Sequence, residues 1–267
     1  MTTLAVIPAR FASTRFPGKP LARDTGKYLI QHVYERASAA RRLDRVIVAT
    51  DDERIVEAVH SFGGETCVTR SDHVSGTDRV GEVAAKLGVS DSDIVLNVQG
   101  DEPEVSPGVL DRVVERLMDG SDGCRIATPA APFAVDGPRE GVGSPLDPNC
   151  VKVVTDGEGR ALYFSRSLIP YPRDRQGAVD DPSRWLLHLG VYAFRGDALR
   201  EVTDPRRVPP TMLEQRESLE QLRWLSAGLS IAVVLVQHRF AGIDTPEQYA
   251  AFVSRTRSDV AEAATTR

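Results

Sequence analysis

Between residue 4 and about residue 118, short apolar runs rich in β-branched residues alternate with longer segments whose apolar positions recur at helical spacing. This alternation predicts βαβ units on a parallel sheet. The predicted strands are apolar at nearly every position, as expected when helices cover both faces of the sheet. They lie at Leu4 to Ile7, Arg45 to Ala49, Thr66 to Thr69 and Asp93 to Val98. Right-handed crossovers bring the C-terminal ends of such strands to one edge, where we expect ligands to bind.

The helical segments between these strands each carry one apolar face. The three faces begin at Leu29, Ile55 and Val80. Thr50 with Glu53 predicts a capping box ahead of the second helix. A fourth helix is expected to begin at Ser106-Pro107, where the missing N–H of proline costs nothing.

The pattern changes after residue 133. Residues 134 to 150 lose periodicity and predict an exposed loop, and residues 172 to 184 predict a polar, mobile connection rich in Arg, Asp and Pro. The last ten residues are polar and predict a frayed tail. Further strands are expected at 151–155, 160–164, 187–194 and Ile231 to Val236, and further helices at Met212 to Leu225 and Thr245 to Arg257.

Composition narrows the possible partners and compartment. The 267 residues carry a formal net charge of -5 with a pI near 5.6, so no large positive field attracts nucleic acid or an anionic membrane. No segment reaches the eighteen or so consecutive apolar residues of a spanning helix. The three cysteines form no Cys-x-x-Cys pair. We therefore expect a soluble, cytoplasmic protein with reduced thiols that binds neither nucleic acid nor membrane.

A basic loop directly follows the first predicted strand. It holds three cations, Arg10, Arg15 and Lys19, together with the hydroxyls of Ser13 and Thr14. Arginine clamps phosphate oxygens in a bidentate way and lysine adds a point charge, so the loop suits a triphosphate. A solvated basic loop is the simpler alternative, but the position at the ligand edge favours nucleotide binding. The Gly-x-Gly-x-x-Gly and Gly-Lys-Ser/Thr motifs are both absent, which argues against NAD-dependent enzymes and P-loop ATPases.

Two carboxylates stand at further predicted turns. Asp101 follows the fourth strand in Gln99-Gly100-Asp101, and Asp244 precedes the final helix. A carboxylate at a strand tip can present oxygen to a magnesium ion shared with phosphates. Taken alone, Asp101 is equally well explained as a surface turn residue, and Asp244 as a residue that compensates the helix dipole.

Four separated motifs together resemble those of one enzyme family. They are Arg-x-x-Ser-Thr-Arg-x-Pro-Gly-Lys-Pro-Leu, Val-Gln-Gly-Asp-Glu-Pro, Leu-Glu-Gln-Leu-Arg and Asp-Thr-Pro-Glu. From residue 4 to about 253 the chain resembles the CMP-Kdo synthetases, which are 3-deoxy-manno-octulosonate (Kdo) cytidylyltransferases. It departs from them at Tyr28, usually proline, at Phe240-Ala241, usually Pro-Gly, and in a longer loop at 134–146.

The resemblance implies a doubly wound, mostly parallel α/β sheet of the nucleotide-diphospho-sugar transferase type, with a smaller mixed lobe for sugar binding and dimerisation. One domain would span 1–257, followed by a polar tail at 258–267. Within the domain, 1–133 would form the nucleotide-binding half and 134–228 the mixed lobe, and 229–257 would return to the main sheet.

By the same resemblance, the nucleotide side would use the basic loop, a loop at residues 75–77 and the strand tip at Gln99. Lys19 and Arg15 would take up charge as pyrophosphate departs. Asp101 and Asp244 would hold Mg²⁺. The implied nucleotide contacts are Arg10, Ser13, Thr14, Arg15, Lys19, Ser75, Gly76, Thr77 and Gln99. His73 is read as a hydrogen-bonded loop histidine without a catalytic role.

On the sugar side, the resemblance implies that Arg166 pairs with the substrate carboxylate, while His188, Glu220 and Gln221 contact its hydroxyls. Simpler explanations exist for two of these residues. Glu220 lies on an amphipathic helix, where acids are usually solvated, and His188 lies in an apolar strand, where a satisfied core histidine is common. Only their joint occurrence in the order of the family favours the sugar-binding role.

The implied reaction joins CMP from CTP to Kdo for lipopolysaccharide biosynthesis and releases pyrophosphate, in a homodimeric enzyme. Two alternatives remain open within enzymes: another sugar acid, such as sialic acid or an amino variant of Kdo, and another nucleotide, such as UTP or dTTP. A binding protein without turnover is the alternative from another class. The retained Arg15, Lys19, Asp101 and Asp244 argue against it.

Overall fold

The computed structural model describes residues 1–12, 15–240 and 242–265 of the chain. These residues form two compact units. The first unit comprises Leu4–Gly88, Asn97–Pro107 and the segment from Phe240 onward, and the second comprises Met1–Thr3, Val89–Leu96 and Gly108–Arg239. Each unit is defined by contacts among its own residues, and these contacts do not show which residues bind a ligand. The functional boundaries expected at residues 133 and 228 therefore stay predictions.

Strands and helices follow one another along the chain in the predicted α/β manner. The strands are β1 (Thr3–Pro8), β2 (Arg45–Thr50), β3 (Thr66–Val68), β4 (Ile94–Asn97), β5 (Ile126–Pro132), β6 (Lys152–Thr155), β7 (Ala161–Ser165), β8 (Leu186–His188), β9 (Tyr192–Arg195) and β10 (Ile231–Leu235). The helices are α1 (Leu29–Ser38), α2 (Glu53–Ser61), α3 (Gly76–Lys86), α4 (Pro107–Asp119), α5 (Gly196–Val202), α6 (Met212–Glu217), α7 (Gln221–Ser226) and α8 (Pro246–Thr265). In the described part of the chain no helix is long and apolar enough to cross a membrane.

Parallel pairing carries the first unit. In register, Leu4 of β1 lies opposite Arg45 of β2, and Val48 of β2 lies opposite Thr66 of β3. Directly after β4, the N–H of Val98 donates to the carbonyl of Val6 at 3.0 Å. The C-terminal ends of these strands therefore lie at one edge, which confirms the predicted α/β class.

The second unit has mixed pairing around β5. Strand β10 runs parallel to β5, with Ile231 opposite Ile126, whereas β8 and β9 run antiparallel to it. Strand β6 pairs antiparallel with both β7 and β8. Neither β5 nor α5 was expected from the sequence pattern. The Ile126–Pro132 run contains three alanines and two prolines, so its β-propensity is weak and its strand conformation comes from burial.

Two local predictions were wrong. Helix α2 is capped by Asp52, whose Oδ1 accepts from the N–H of Arg54 at 3.0 Å, because Thr50 is still the last residue of β2. The helix expected over Met212 to Leu225 is divided into α6 and α7 at Ser218, where φ is 50°. Helical periodicity continues across this break, so the sequence pattern does not reveal it.

Other predicted boundaries shift. The strand expected at 187–194 is two strands, β8 and β9, which are separated at residues 189–191. The connection at 172–184 contains two one-turn 3₁₀ helices, Arg173–Arg175 and Pro182–Arg184. Helix α8 continues to Thr265 and so includes most of the segment expected to fray.

Helix α8 is anchored in the first unit by an apolar cluster at its start. Ile243, Tyr249, Phe252 and Val253 pack with Leu29 of α1 in one buried group. The hydroxyl of Tyr249 also accepts from the N–H of a residue in the loop before α1, Asp24, at 2.8 Å. The segment that carries Asp244 is therefore fixed to the N-terminal part of the unit.

A side chain at Gly100 is expected to destabilise the fold, because a β-carbon there would lie 2.7 Å from the carbonyl oxygen of Pro8. Relieving that contact must move either β1 or the turn that carries Asp101. We predict that Gly100→Ala lowers the free energy of unfolding by about 1–3 kcal/mol, measured by urea denaturation. Gly157→Ala is the matched control, since a β-carbon there has no atom within 4 Å, and should change it by less than about 0.5 kcal/mol. Equal losses in both variants would contradict the steric argument.

Candidate active site

The basic loop after β1 is folded back on itself. The N–H of Gly18 donates to the carbonyl of Phe11 at 3.0 Å, and the guanidinium carbon of Arg54 lies 3.3 Å from the centroid of the Phe11 ring. Gly18 has φ 69°, a left-handed conformation that favours glycine. A one-turn 3₁₀ helix, Lys19–Leu21, follows and fixes the start of the Lys19 side chain. Ser13 and Thr14, two of the predicted nucleotide contacts, lie outside the described residues.

The ammonium of Lys19 brings the predicted catalytic residues together. Its Nζ lies 2.6 Å from Asp101 Oδ2 and 3.7 Å from Asp244 Oδ1, and it donates to the carbonyl of Ile243 at 2.6 Å. Arg15 Nη2 lies 2.9 Å from the same oxygen of Asp244. Two cations and two carboxylates thus form one cluster, in which the Lys19 side chain is only 12% exposed.

Backbone contacts bring the two carboxylates to the same place. The N–H of Ile243 donates to the carbonyl of Asp101 at 2.8 Å, which joins the start of the last helix to the turn after β4. The side-chain oxygen of Gln248 accepts from the N–H groups of Asp244 and Thr245, at 2.6 and 3.1 Å. Asp244 therefore precedes a capped helix, as the sequence indicated, and also faces Lys19.

The chemistry of this cluster fits a magnesium ion. Asp101 and Asp244 present the hard anionic oxygens that Mg²⁺ prefers, and they already surround a cation, the Lys19 ammonium. Among the described residues there is no group of three or more His, Cys, Asp and Glu side chains that could hold a metal. Two protein carboxylates with the remaining ligands from phosphates and water are typical of nucleotide-bound magnesium. Asp101 and Asp244 are therefore the candidate ligands.

An open pocket of about 170 Å³ lies beside this cluster. Predicted contacts from two separate motifs line it, which places the basic loop and the turn after β4 around the same space. The lining residues are Pro8, Ala9, Arg10, Ala12, Lys19, Pro20, Gln99, Gly100 and Asp101.

The loop before α3 is joined to the same region by Arg10, whose Nη2 donates to the carbonyls of His73 and Ser75, at 2.5 and 3.4 Å. Ser75 caps α3 in a reciprocal capping box with Asp78, as its position before the helix suggested. The hydroxyl of Thr77 is buried and accepts from Asn97 Nδ2 at 3.2 Å. The predicted nucleotide contact of Thr77 stays a prediction.

Glu82 of α3 was not singled out from the sequence, yet it holds this loop. It accepts from the N–H of Arg70 at 3.1 Å, contacts His73 Nε2, and pairs with Lys86 at 2.7 Å. Burial raises the pKa of Glu82, but these hydrogen bonds outweigh burial and lower the pKa from 4.5 to about 2. The predicted reading of His73 as a hydrogen-bonded loop histidine agrees with this contact. The Glu82 to Lys86 spacing was the available signal, but it is also common on solvated helices.

In the second unit, Arg166 follows β7 and its guanidinium is held by backbone carbonyls. Nε donates to Glu217 at 2.6 Å, Nη1 to Pro148 at 2.9 Å and Nη2 to Ser218 at 3.4 Å. Three of its five N–H groups are engaged, and in the part of the chain that is described no carboxylate pairs with it. The side chain is thus oriented while its charge stays available for an anion.

His188 is a neutral, packed histidine. Its ring lies 5.0 Å from that of Phe164 and 5.3 Å from that of Tyr192, and burial lowers the pKa of His188 to about 3. Nε2 lies 3.0 Å from Thr128 Oγ1, and the same hydroxyl lies 2.8 Å from the carbonyl oxygen of Val191. When this hydroxyl donates to the carbonyl, Nε2 donates to the hydroxyl and Nδ1 is the acceptor. The contact of Nε2 with Thr128 agrees with the alternative of a satisfied core histidine. The sugar contact through Nδ1 stays a prediction.

Glu220 and Gln221 stand at the start of α7, next to a residue that the sequence did not indicate. Glu220 Oε1 accepts from Arg223 Nη2 at 3.2 Å, and Gln221 is buried. Tyr192 is a buried tyrosine whose hydroxyl lacks a well-formed hydrogen bond within the described residues. Burial, together with the charge of Glu220, raises the pKa of Tyr192 well above its usual value. A buried polar atom of this kind requires a partner, such as water or a ligand hydroxyl.

The contacts of Glu82 generate a pH-dependent prediction. A carboxylate whose pKa falls on folding stabilises the folded state above its unfolded pKa of 4.5, and that stabilisation disappears as the pH falls through about 2. Glu82→Gln should therefore lose up to about 3 kcal/mol of unfolding free energy at neutral pH, and less as the pH falls below 4.5. Denaturant titrations across this pH range measure the difference from the unsubstituted protein. Glu57→Gln, an exposed position on α2, is the control; a loss at Glu82 that does not vary with pH would contradict the prediction.

Comparison with known proteins shows similarity along most of the chain. The sequence model of the cytidylyltransferase family matches residues 4–231. The 3-deoxy-manno-octulosonate cytidylyltransferase of Geobacter sulfurreducens is 46% identical over 252 residues, covering 92% of this chain and 96% of the relative. The enzyme of the same name from Syntrophobacter fumaroxidans is 48% identical over 253 residues, covering 95% and 96%.

A solved structure extends the similarity to three dimensions. It is that of CMP:2-keto-3-deoxy-manno-octonic acid synthetase complexed with CTP, and it superposes with a TM-score of 0.85 at 40% sequence identity. The match covers 97% of this chain and 100% of that chain.

Proposed function

The chain belongs to the cytidylyltransferase family, and we propose that it transfers CMP from CTP to 3-deoxy-manno-octulosonate, releasing pyrophosphate. The observation that carries the proposal is the cluster of Arg15, Lys19, Asp101 and Asp244 beside an open pocket at the strand ends. The charges of this cluster are those that a triphosphate and its metal require. The relatives named for this reaction, and the related synthetase solved with CTP, support the choice of substrates.

In the reaction, the anomeric hydroxyl oxygen of the sugar bonds to the α-phosphorus, and the bond from that phosphorus to the β-phosphate oxygen breaks. The hydroxyl proton is released and pyrophosphate leaves. No covalent enzyme intermediate is needed. Lys19 and Arg15 offset the charge that develops on the departing pyrophosphate. Magnesium, held by Asp101 and Asp244, would supply Lewis-acid polarisation of the phosphate oxygens.

On the sugar side, the unpaired N–H groups of Arg166 suit the planar carboxylate of a sugar acid. The neutral His188 offers Nδ1 as an acceptor, and Tyr192 and Glu220 add polar groups for hydroxyls. A sugar acid rich in hydroxyl groups therefore fits the residues of the second unit.

Four finer features complete the proposal: magnesium dependence, a homodimer, a cytoplasmic location and a role in lipopolysaccharide biosynthesis. Magnesium dependence rests on the two carboxylates, and a homodimer on family resemblance. Cytoplasmic location is supported by the three cysteines, all of which are free thiols. A role in lipopolysaccharide biosynthesis follows from Kdo as the acceptor.

The proposed function is tested by pyrophosphate release. We expect release with CTP and Kdo together, and little with UTP in place of CTP or sialic acid in place of Kdo, because contacts to the base and to the hydroxyls of the sugar are both required in the transition state. Turnover with sialic acid and not with Kdo would show that the acceptor is sialic acid. Tight CTP binding with no release from any sugar acid in the panel would indicate a binding protein.

The metal assignment predicts the effect of removing one charge from the cluster. Asp101→Asn should lower turnover roughly a hundredfold or more, since a neutral amide is a poor ligand for Mg²⁺ and leaves the Lys19 charge unbalanced. Turnover is measured across magnesium concentrations, with a parallel urea denaturation to show that the variant is folded. Asp136→Asn, an exposed position, serves as control. Full activity of Asp101→Asn with unchanged magnesium dependence would refute the assignment.

A further inference from the structure

Lys152 of β6 is a fully buried charged side chain that the proposed reaction does not use. Its exposed fraction is 0%. The ammonium donates to three backbone carbonyls: Asp147 at 3.0 Å, Cys150 at 2.6 Å and Arg166 at 2.6 Å. All three of its donors are therefore engaged. Burying an ammonium is costly unless it is fully hydrogen-bonded, so a lysine here serves a geometry that an apolar residue could not provide.

The three carbonyls belong to two segments that meet at the candidate sugar arginine. Two of them lie in the turn at residues 147–150, and the third is the carbonyl of Arg166 itself. Within the same turn, the Asp147 carboxylate accepts from the N–H groups of Gly143 and Asn149, each at 2.8 Å. The carbonyl of Pro148, between these contacts, accepts from Arg166 Nη1 at 2.9 Å. Lys152 thus holds both the backbone of Arg166 and the turn that orients its guanidinium.

Glu217 completes the frame from the opposite side. Its Oε2 accepts from the N–H of Arg166 at 2.9 Å and its Oε1 from the hydroxyl of Ser165 at 2.6 Å. The guanidinium itself contacts carbonyl oxygens, at Pro148, Glu217 and Ser218, and not the Glu217 carboxylate. The frame therefore orients Arg166 without neutralising it.

We infer that Lys152 is a positioning residue for Arg166, whose guanidinium it holds in the orientation that receives the carboxylate of the sugar acid. This inference rests on the proposed function and adds to it the residue that sets the geometry of the sugar side. Lys152 itself, with no exposed surface and all donors engaged, touches no substrate. Its effect is transmitted by the Arg166 carbonyl and by the turn at 147–150.

The test is a double-mutant cycle between Lys152 and Arg166, with Lys152→Met and Arg166→Ala alone and combined. Lys152→Met keeps the unbranched chain, with one heavy atom fewer, and removes the donors. We expect it to raise the Michaelis constant for Kdo about tenfold, while the dissociation constant for CTP, measured by calorimetry without sugar, is unchanged. In the Arg166→Ala background the same substitution should have almost no further effect on sugar use, because its target is gone.

A merely structural role has a different signature. It gives losses that add in the double variant, or a fall in turnover and CTP affinity with the Michaelis constant for Kdo unchanged. Either result in an active enzyme overturns the inference and leaves the proposed function standing. Absence of pyrophosphate release from any sugar acid with the unsubstituted protein overturns both.

A second variant covers the case in which Lys152→Met does not fold, as urea denaturation would show. Asp147→Asn loosens the same turn and leaves the buried ammonium of Lys152 in place. The turn is weakened and not lost, because the amide oxygen can still accept from one of the two N–H groups. It should raise the Michaelis constant for Kdo in the same direction and lose that effect in the Arg166→Ala background. Additive losses here would likewise overturn the inference.

Discussion

The ammonium of Lys19 is the contact on which the arrangement of the first unit depends. It joins three parts of the chain that are distant in sequence: the loop after β1, the turn after β4 at Asp101, and the segment before α8 at Ile243 and Asp244. Two carboxylates facing the same ammonium repel each other, and the low exposure of Lys19 strengthens its attraction for both. The ammonium between them offsets that repulsion. The cluster is therefore both a structural tie and the chemical centre of the site.

The same charges explain how substrates can enter this cluster. A triphosphate is an anion that attracts Lys19 and Arg15, and a magnesium ion is a cation that attracts Asp101 and Asp244. A protein cation that loses an internal carboxylate can thus gain a phosphate group. A protein carboxylate that loses an internal cation can gain the magnesium ion. Because ion pairs are exchanged and not simply broken, the cost of opening the cluster is offset on binding.

Two cations of the second unit have backbone carbonyls as partners in place of carboxylates. Arg166 and Lys152 are held by neutral carbonyl oxygens, so their positions are fixed while their charges are not cancelled by a bonded carboxylate. A single carboxylate ligand can therefore bind Arg166 without displacing an internal carboxylate. The neutral His188 and the buried Tyr192 fit the same logic, because hydroxyl groups are recognised by hydrogen bonds and not by charge.

The sequence by itself determined the α/β class, the strands that precede the basic loop and Asp101, and the identity of the four charged residues in the Lys19 cluster. These follow from periodicity, from the placement of charges after apolar runs and from family motifs, all of which are local in the chain. Tertiary structure decided the rest. The helix break at Ser218 and the strand β5 depend on partners far away in the chain, and so does the burial of Lys152. Tyr192 and Lys152 carry no local signal, and the Glu82 to Lys86 spacing is equally common on solvated helices. Their roles arise from the carbonyls, rings and loops that folding brings against them, and those distances cannot be read from neighbours in the sequence.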